Sequence, residues 1–137
     1  MRHIYQQKIR WADIDSFGHV NNATYLIYVQ EARLDFHWYA PKARGDKALL
    51  QDMVVARAEV DYIEPLREPH KLLDIAVWVN RVGNSSFGLS YEIWLRGKLY
   101  ARAVSVQVAV SMDTLRPRPL SDEERVFLKK YLQVPNL

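Results

Sequence analysis

The hydrophobic period of the chain changes once, and this change limits the folds that the chain can adopt. Residues 22–39 show a helical pattern without Gly or Pro, which is expected to stop near Pro41. From residue 54 to residue 110 apolar and polar residues alternate instead, as they do in strands whose two faces differ. One long helix followed by a run of strands predicts an α+β domain with an antiparallel sheet.

Four strands are predicted in the alternating region, and one more over residues 4–11, before the helix. Gly83-Asn84 interrupts the run, and Arg96-Gly97-Lys98 is a hairpin signal with Gly at its centre. The predicted apolar faces are Val54, Ala56, Ala58, Val60 and Tyr62; Leu73, Ile75, Val77 and Val79; Phe87, Leu89, Tyr91, Ile93 and Leu95; and Val104, Val106, Val108 and Val110. The last strand has a second face small enough for another surface to approach closely, made of Ala103, Ser105, Gln107 and Ala109.

The predicted helix carries apolar residues on two faces, whereas a surface helix usually has one. We therefore expect the sheet to cover one face and a second surface to cover the other. A single sheet on one helix also leaves strand edges uncovered, which favours self-association. The first apolar face contains Tyr25, Tyr28, Val29, Ala32, Phe36 and Tyr39, and the second contains Ala23, Ile27, Leu34 and Trp38.

The region after the strands predicts a short C-terminal helix. Pro117 and Pro119 are expected to end the sheet, because proline cannot donate to a strand ladder. The segment Ser121-Asp122-Glu123-Glu124 has the spacing of a capping box, which indicates a helix start.

Composition narrows the class of protein. The 137 residues suit one domain, residues 1–137, and 49% hydrophobic residues are enough to bury a core. There are no cysteines, which excludes disulfides, thiolate metal sites and a cysteine nucleophile. The net charge of +3 comes from scattered Lys and Arg, which is typical of a solvated surface rather than a nucleic-acid interface. Neither a signal peptide nor a membrane span is indicated, so a cytoplasmic location is expected.

The stretch WADIDSFGHVNNATY, residues 11–25, places several polar groups just before the helix. Asp13, Asp15 and Gly18 match positions one, three and six of a calcium loop, but Phe17 and Thr24 stand where further oxygen ligands are needed. An aspartyl-phosphate phosphatase would need a later acidic cluster and a lysine, for which we find no convincing pair. The spacing matches no other metal site, so no metal or cofactor is expected.

Two interpretations of this stretch remain open at the level of the residues. Asp and Asn before a helix are ordinary caps, and a histidine there can be only structural. Alternatively, the loop can fold the Asp15 carboxylate over the helix N-terminus, seven residues later at Asn22. The free N–H groups there can bind a carbonyl oxygen that becomes negative during acyl transfer. The carboxylate could then attack that carbonyl or deprotonate a water molecule.

The pattern D-x-D-x-x-G-H-V-N-N-x-x-Y, followed by E-A-R, resembles the hotdog-fold acyl-CoA thioesterases. It is most similar to the hydroxybenzoyl-CoA thioesterase and bacterial long-chain acyl-CoA thioesterase branches, and H-V-N-N also occurs in plant acyl-carrier-protein thioesterases. The resemblance implies a curled antiparallel sheet of about five strands wrapped around one long central helix. It also implies hydrolysis of acyl-CoA to free acid and CoA. The active sites would lie between two chains that pair edge to edge, as a homodimer or a dimer-of-dimers tetramer.

The same resemblance assigns roles to individual residues. It places the catalytic carboxylate on Asp15, because this is the acid three positions before Gly18, and leaves Asp13 a loop-stabilising role. The backbone N–H that polarises the thioester carbonyl falls on Asn22. His19 either assists by hydrogen bonding or only shapes the loop. The residues expected to border the substrate are Gly18, Tyr25 and Tyr62, with Ser85 and Ser86 near the pantetheine or phosphates of CoA.

One departure and two alternative functions accompany this interpretation. Phe17 stands where the plant enzymes carry Asn, and the hydroxybenzoyl branch lacks a counterpart of His19. A hotdog-fold enoyl-thioester hydratase or dehydratase could use His19 with Asp15. A non-catalytic acyl-CoA-binding domain would use Asp15 only as a cap.

Overall fold

The computed structural model describes residues 1–133, so the last four residues of the predicted domain lie outside the described residues. Five antiparallel strands form one sheet in the order β1-β3-β4-β5-β2, and the long helix follows the first strand, which confirms the predicted order of elements. The elements are β1 His3–Lys8, α1 Asn22–Leu34, α2 Ala40–Ala43, β2 Met53–Tyr62, β3 Leu72–Val82, β4 Ser86–Leu95, β5 Lys98–Ala109 and α3 Asp122–Lys130.

The core lies between the long helix and one face of the sheet. The predicted apolar faces of β3 and β4 are confirmed, since all nine residues are buried. The first apolar face of the helix is buried from Tyr25 to Phe36, but Tyr39 is 57% exposed, so the prediction was wrong at that position. The β4–β5 hairpin turns at Arg96 and Gly97, both with positive φ, as the sequence signal predicted.

The predicted face of β2 was wrong at Val54 because the strand contains a bulge. The pairing with β5 shifts register between Val55 and Arg57, so one extra residue, Ala56, is inserted. Val55, rather than Val54, therefore lies opposite the buried Gln107, on the same side as Val60 and Tyr62.

The small-residue face of β5 lies inside the molecule. Ala101, Ala103, Ser105, Gln107 and Ala109 are all buried, and the valines that alternate with them lie on the outer face. The surface that approaches this small face is therefore part of the chain itself.

Two predicted element ends were also wrong. The helical region continues past Pro41 to Ala43, because residues 35–39 form a π-helical turn in which the Ala40 N–H bonds to the carbonyl of Asp35. The wider turn accommodates a proline that an α-helix interior would exclude. β1 ends at Lys8 instead of Trp11, because Trp11–Asp13 forms a 3-10 turn whose Asp13 N–H bonds to the carbonyl of Arg10.

The second apolar face of α1 is only partly covered by residues 1–133. Ala23 and Ile27 of this face are exposed, whereas Leu34 and Trp38 are partly buried, and the adjacent Leu26 is also 44% exposed. The neighbouring strand β2 pairs only with β5, and most of its residues are exposed on both faces. An exposed helix face thus lies beside an exposed sheet edge.

The predicted capping box is present at the start of α3. The Ser121 hydroxyl accepts a hydrogen bond from the Glu124 N–H at 3.1 Å, and the Glu124 carboxylate accepts one from the Ser121 N–H at 2.8 Å. Arg118 donates two further hydrogen bonds to the same carboxylate. These hydrogen bonds to the buried Glu124 fix the start of the helix.

Replacing Ser121 by Ala is expected to lower the free energy of unfolding by about 1 kcal/mol, because one helix N–H loses its acceptor. Urea denaturation measures this change. Ser121→Asp, which retains a capping oxygen, is the matched control and should remain close to wild type. Equal stability of Ser121→Ala and wild type would contradict the prediction.

Candidate active site

A tight loop presents Asp15. Ile14 pairs with Val20, and the Asp15 N–H donates to the carbonyl of His19 at 3.0 Å. Gly18 closes the loop with a φ of +84°, a conformation that favours glycine, and its N–H donates to the Asp15 carbonyl at 3.0 Å. The Asp15 Oδ1 accepts from the Phe17 N–H at 2.9 Å, and the carboxylate stays partly exposed. One carboxylate oxygen therefore has no protein donor among residues 1–133.

Asp13, by contrast, is buried and saturated with hydrogen bonds. Its Oδ2 accepts from the Tyr28 hydroxyl at 2.6 Å and from the Arg10 N–H at 3.0 Å. Burial disfavours the charged form, but the hydrogen bonds from Tyr28 and Arg10 outweigh it and hold the pKa of Asp13 below its usual range. The predicted loop-stabilising role of Asp13 is confirmed by these contacts.

The long helix begins at Asn22, as predicted. Asn21 is the N-cap: its side chain accepts from the Ala23 N–H at 2.9 Å, and its carbonyl accepts from the Thr24 N–H at 2.9 Å. No group among residues 1–133 accepts a hydrogen bond from the Asn22 N–H. The cap therefore satisfies the neighbouring donors and leaves this one available at the positive end of the helix dipole.

A small cavity of about 160 Å³ adjoins this helix end and is lined by His19, Asn22, Tyr25 and Tyr62, among others. The Tyr62 hydroxyl donates to the Asn22 carbonyl at 3.0 Å, and its ring meets that of Tyr25 edge to face at 5.0 Å. β2 and α1 thus supply two aromatic walls beside the available N–H. Asp15 does not line this cavity; it lies across the loop, opposite His19.

The side chain of His19 is half-buried between the loop and the cavity. Its ring stacks on Phe17 with the ring centres 6.3 Å apart, and its Nδ1 lies 3.4 Å from the Val20 carbonyl. Phe17 is itself strongly exposed at the loop tip. His19 therefore has both a loop-packing contact and access to the cavity.

Ser85 and Ser86 lie far from this cavity within one chain. Ser86 is in register with Val108 of β5, whereas Tyr62 is in register with Ala101. These positions are seven residues apart, or about 23 Å along the strand. The Ser86 hydroxyl accepts a hydrogen bond from Arg81. Within residues 1–133 of one chain, no compact cavity therefore includes both the serines and Tyr62.

A hydrogen-bond network between α1 and the inner face of the sheet was not identified from the sequence. Arg33 of α1 donates to the Tyr91 hydroxyl at 3.3 Å, which lies 2.7 Å from the hydroxyl of Ser105. Ser105 in turn bonds to Gln107. The sequence signal for this network is the pair Ser105 and Gln107, which lie at alternating positions on the inner face of β5. Polar residues are unusual on a buried face.

Residues 1–133 contain neither a candidate metal site nor a membrane-spanning helix. No cluster of three or more His, Asp or Glu side chains is arranged to hold a metal ion. No helix in this part of the chain is long and apolar enough to span a membrane.

Comparison with known proteins identifies related sequences and folds. The family model described as "Thioesterase-like superfamily" matches residues 9–129. Long-chain acyl-CoA thioesterase FadM of Escherichia coli (strain K12) is 28% identical over 130 residues, which cover 93% of this chain and 98% of FadM.

Solved structures share the whole fold. A predicted thioesterase from Bacillus stearothermophilus superimposes with a TM-score of 0.84 at 26% identity, covering 99% of this chain and 100% of that one. A thioesterase from Thermus thermophilus, solved with coenzyme A and Zn, gives a TM-score of 0.77 at 26% identity, covering 93% and 92%. The predicted hotdog fold, a curled five-stranded sheet with one long helix, is confirmed.

Proposed function

Because the chain belongs to the thioesterase-like superfamily, we propose that it hydrolyses acyl-CoA thioesters to the free acid and CoA. The observation that carries this proposal is the Asn22 N–H, which is available at the start of the long helix beside the Asp15 loop. FadM, a relative over nearly the whole chain, acts on long-chain acyl-CoA, and the Thermus relative binds coenzyme A, which supports a CoA thioester as substrate.

In this proposal the thioester carbonyl oxygen accepts a hydrogen bond from the Asn22 N–H. The positive end of the helix dipole stabilises the negative charge that develops on that oxygen. Tyr25 and Tyr62 confine the acyl group beside the carbonyl, and Gly18 allows the loop to bring Asp15 to the opposite side. His19 packs the loop and borders the substrate.

The Asp15 carboxylate completes the reaction by one of two routes. As a general base it takes a proton from water while the water oxygen bonds to the carbonyl carbon; the carbon–sulfur bond then breaks and the CoA sulfur takes up the proton. As a nucleophile it bonds to the carbonyl carbon and the carbon–sulfur bond breaks, releasing CoA as the thiolate, which takes a proton from water; a second water then hydrolyses the resulting anhydride and regenerates the Asp15 carboxylate. A single turnover in water enriched in oxygen-18 tests for the second route, because label in Asp15 arises only when water attacks the aspartyl carbon of the anhydride.

The proposed enzyme is a homodimer, or a tetramer formed from two dimers, built from single-domain chains of residues 1–137. The exposed edge of β2 and the partly uncovered face of α1 support this assembly. In it, Ser85 and Ser86 reach the substrate bound at the other chain of the pair, where they contact CoA.

A panel of aryl-, short-chain and long-chain acyl-CoAs tests the proposed reaction. We expect stoichiometric release of free thiol and carboxylic acid from at least one class. Crotonyl-CoA serves as the comparison substrate: loss of its conjugated absorbance without thiol release would indicate a hydratase instead. Tight binding of acyl-CoA with no thiol release from any substrate would indicate a binding domain and overturn the proposal.

A further inference from the structure

A cavity of about 220 Å³ lies between the C-terminal half of α1 and the beginning of β2. Its lining combines apolar walls with a few polar groups, and it contains one cationic side chain and no acidic one. The residues that matter for the argument are Leu34, Met53 and Phe87 on the apolar side, and Arg33, His37 and Gln107 on the polar side.

Arg33 supplies positive charge to this cavity without an anionic partner. Its guanidinium is half-buried and donates to the Tyr91 hydroxyl, and no carboxylate among residues 1–133 lies within ion-pairing distance of it. The nearby Asp35 is paired instead with His3 at 2.7 Å. A guanidinium withdrawn from water favours an anion with which it can pair.

The other polar groups of the cavity carry no negative charge that could neutralise Arg33. His37 is only 9% exposed, and its Nδ1 lies 3.1 Å from the Leu49 carbonyl. Burial lowers the pKa of His37, so the ring is neutral near pH 7. Gln107 is also neutral: its amide oxygen accepts from the Ser105 hydroxyl, and its NH2 group donates two long hydrogen bonds of 3.4 Å to the carbonyls of Phe87 and Ser105.

The cavity lies along the same helix as the proposed active site. Arg33 is eleven residues after Asn22, about 16 Å along the helix axis. Leu26 and Gln30 follow Asn22 at intervals of four residues, so they lie on the same side of the helix. On the opposite wall, the inner face of β2 runs from Tyr62 at one cavity to Met53 at the other. The two cavities therefore lie along one side of the helix and one face of β2, and we refer to the stretch between them as the groove.

We propose that this second cavity receives the far end of the acyl group, and that Arg33 selects acyl-CoAs whose far end carries a carboxylate. The inference rests on the proposed thioesterase function. With the thioester carbonyl at Asn22, an acyl chain extended along the groove crosses Leu26 and places its terminal group beside Arg33. Arg33 is then a specificity-determining residue for the CoA monothioesters of dicarboxylic acids.

Matched substrate pairs test this proposal. Decanoyl-, dodecanoyl- and tetradecanoyl-CoA are each compared with the CoA monothioester of the dicarboxylic acid of the same length. At the length that spans the groove, we expect kcat/KM for the carboxylated substrate to be higher by about tenfold to a hundredfold, the range expected for hydrogen bonds to a charged group. In Arg33→Gln this ratio should fall to about one. The ratio does not depend on the fraction of active enzyme, so partial misfolding cannot produce this result.

Two control variants sharpen the test. Arg33→Lys retains the positive charge but lacks the planar guanidinium that can donate two parallel hydrogen bonds to a carboxylate. This variant should keep part of the preference for the carboxylated substrate. Arg116→Gln removes an exposed arginine that lines none of these cavities, and should keep the wild-type ratio. Hydrolysis of both members of every pair at equal rates, unchanged in Arg33→Gln, would overturn the proposal; this is also the result expected if a second chain fills the cavity. Failure to hydrolyse any thioester would instead overturn the proposed function.

Discussion

Replacing Asp15 by Asn is expected to lower kcat for acyl-CoA hydrolysis by about a hundredfold to ten-thousandfold, the range measured for positioned acid–base groups. The amide cannot take a proton from water or form an anhydride. It can still accept the hydrogen bond that Asp15 Oδ1 receives from the Phe17 N–H, so the loop should keep its shape. The dissociation constant for acyl-CoA should therefore change little, because the substrate carbonyl and acyl contacts remain.

Thiol release measures the rate, and titration calorimetry measures the binding. Asp113→Asn is the matched control, because this carboxylate is exposed and lies outside the cavities described above. Asp15→Ala should be measured beside Asp15→Asn, since slow deamidation next to Ser16 would regenerate the carboxylate. Turnover within a few-fold of wild type in both variants would show that Asp15 is not the catalytic group.

The sequence was most informative where one physical effect dominates. On β3 and β4 burial alone decides the alternation, so Leu73 to Val79 and Phe87 to Leu95 were assigned correctly. The capping box at Ser121 was also predicted correctly, because both of its hydrogen bonds join residues only three positions apart. Local signals of this kind do not depend on how distant elements meet.

The errors arose where a distant contact decides the local structure. The β2 bulge moves Val54 to the outer face, and nothing in the alternation of that strand reveals an inserted residue. The inner face of β5 carries the small residues and its valines face outwards, which the alternation of that strand alone does not reveal. Similarly, Pro41 would end the helix if the preceding turn were α-helical. That turn is π-helical, so the helical region continues past Pro41.

The candidate site shows the same division. Asn22 was placed correctly as the first helical residue, because Asn21 is a recognisable cap. Tyr25 and Tyr62, 37 residues apart in the chain, do meet in one cavity. The position of Arg33 beside Tyr91 could not be read in the same way, because it depends on the register of β4 under the helix.

Replacing Asp13 by Ala is expected to lower the free energy of unfolding by about 3 kcal/mol, one of the larger single-residue effects for this chain. The change leaves the buried Tyr28 hydroxyl without an acceptor and removes the acceptor of the Arg10 N–H. The ion pair with the largely exposed Arg10 side chain adds little to this loss. Urea denaturation measures the effect, and Tyr28→Phe, which removes only the hydroxyl, should cost about 1 kcal/mol.

The stability that Asp13 provides should also depend on pH in a defined direction. Because its pKa is lower in the folded state than its ordinary value of 3.8, the folded protein binds fewer protons in this range than the unfolded chain. The contribution is therefore complete above pH 3.8 and is lost as the pH falls through the folded-state pKa. Asp13→Ala should remove this part of the acid dependence.

Two other groups also make the folded protein less stable as the pH falls, and their contributions can be separated from that of Asp13. Burial also disfavours the charged form of Glu124, but hydrogen bonds from Arg118 and Ser121 outweigh it and lower its pKa. This part of the acid dependence persists in Asp13→Ala. Burial lowers the pKa of His37, so the stability that its neutral ring provides begins to be lost below pH 6.5. This pH range starts above the range in which Asp13 takes up a proton. An Asp13→Ala variant with the wild-type slope of stability against pH below pH 3.8 would show that the hydrogen bonds to Asp13 do not stabilise its charged form.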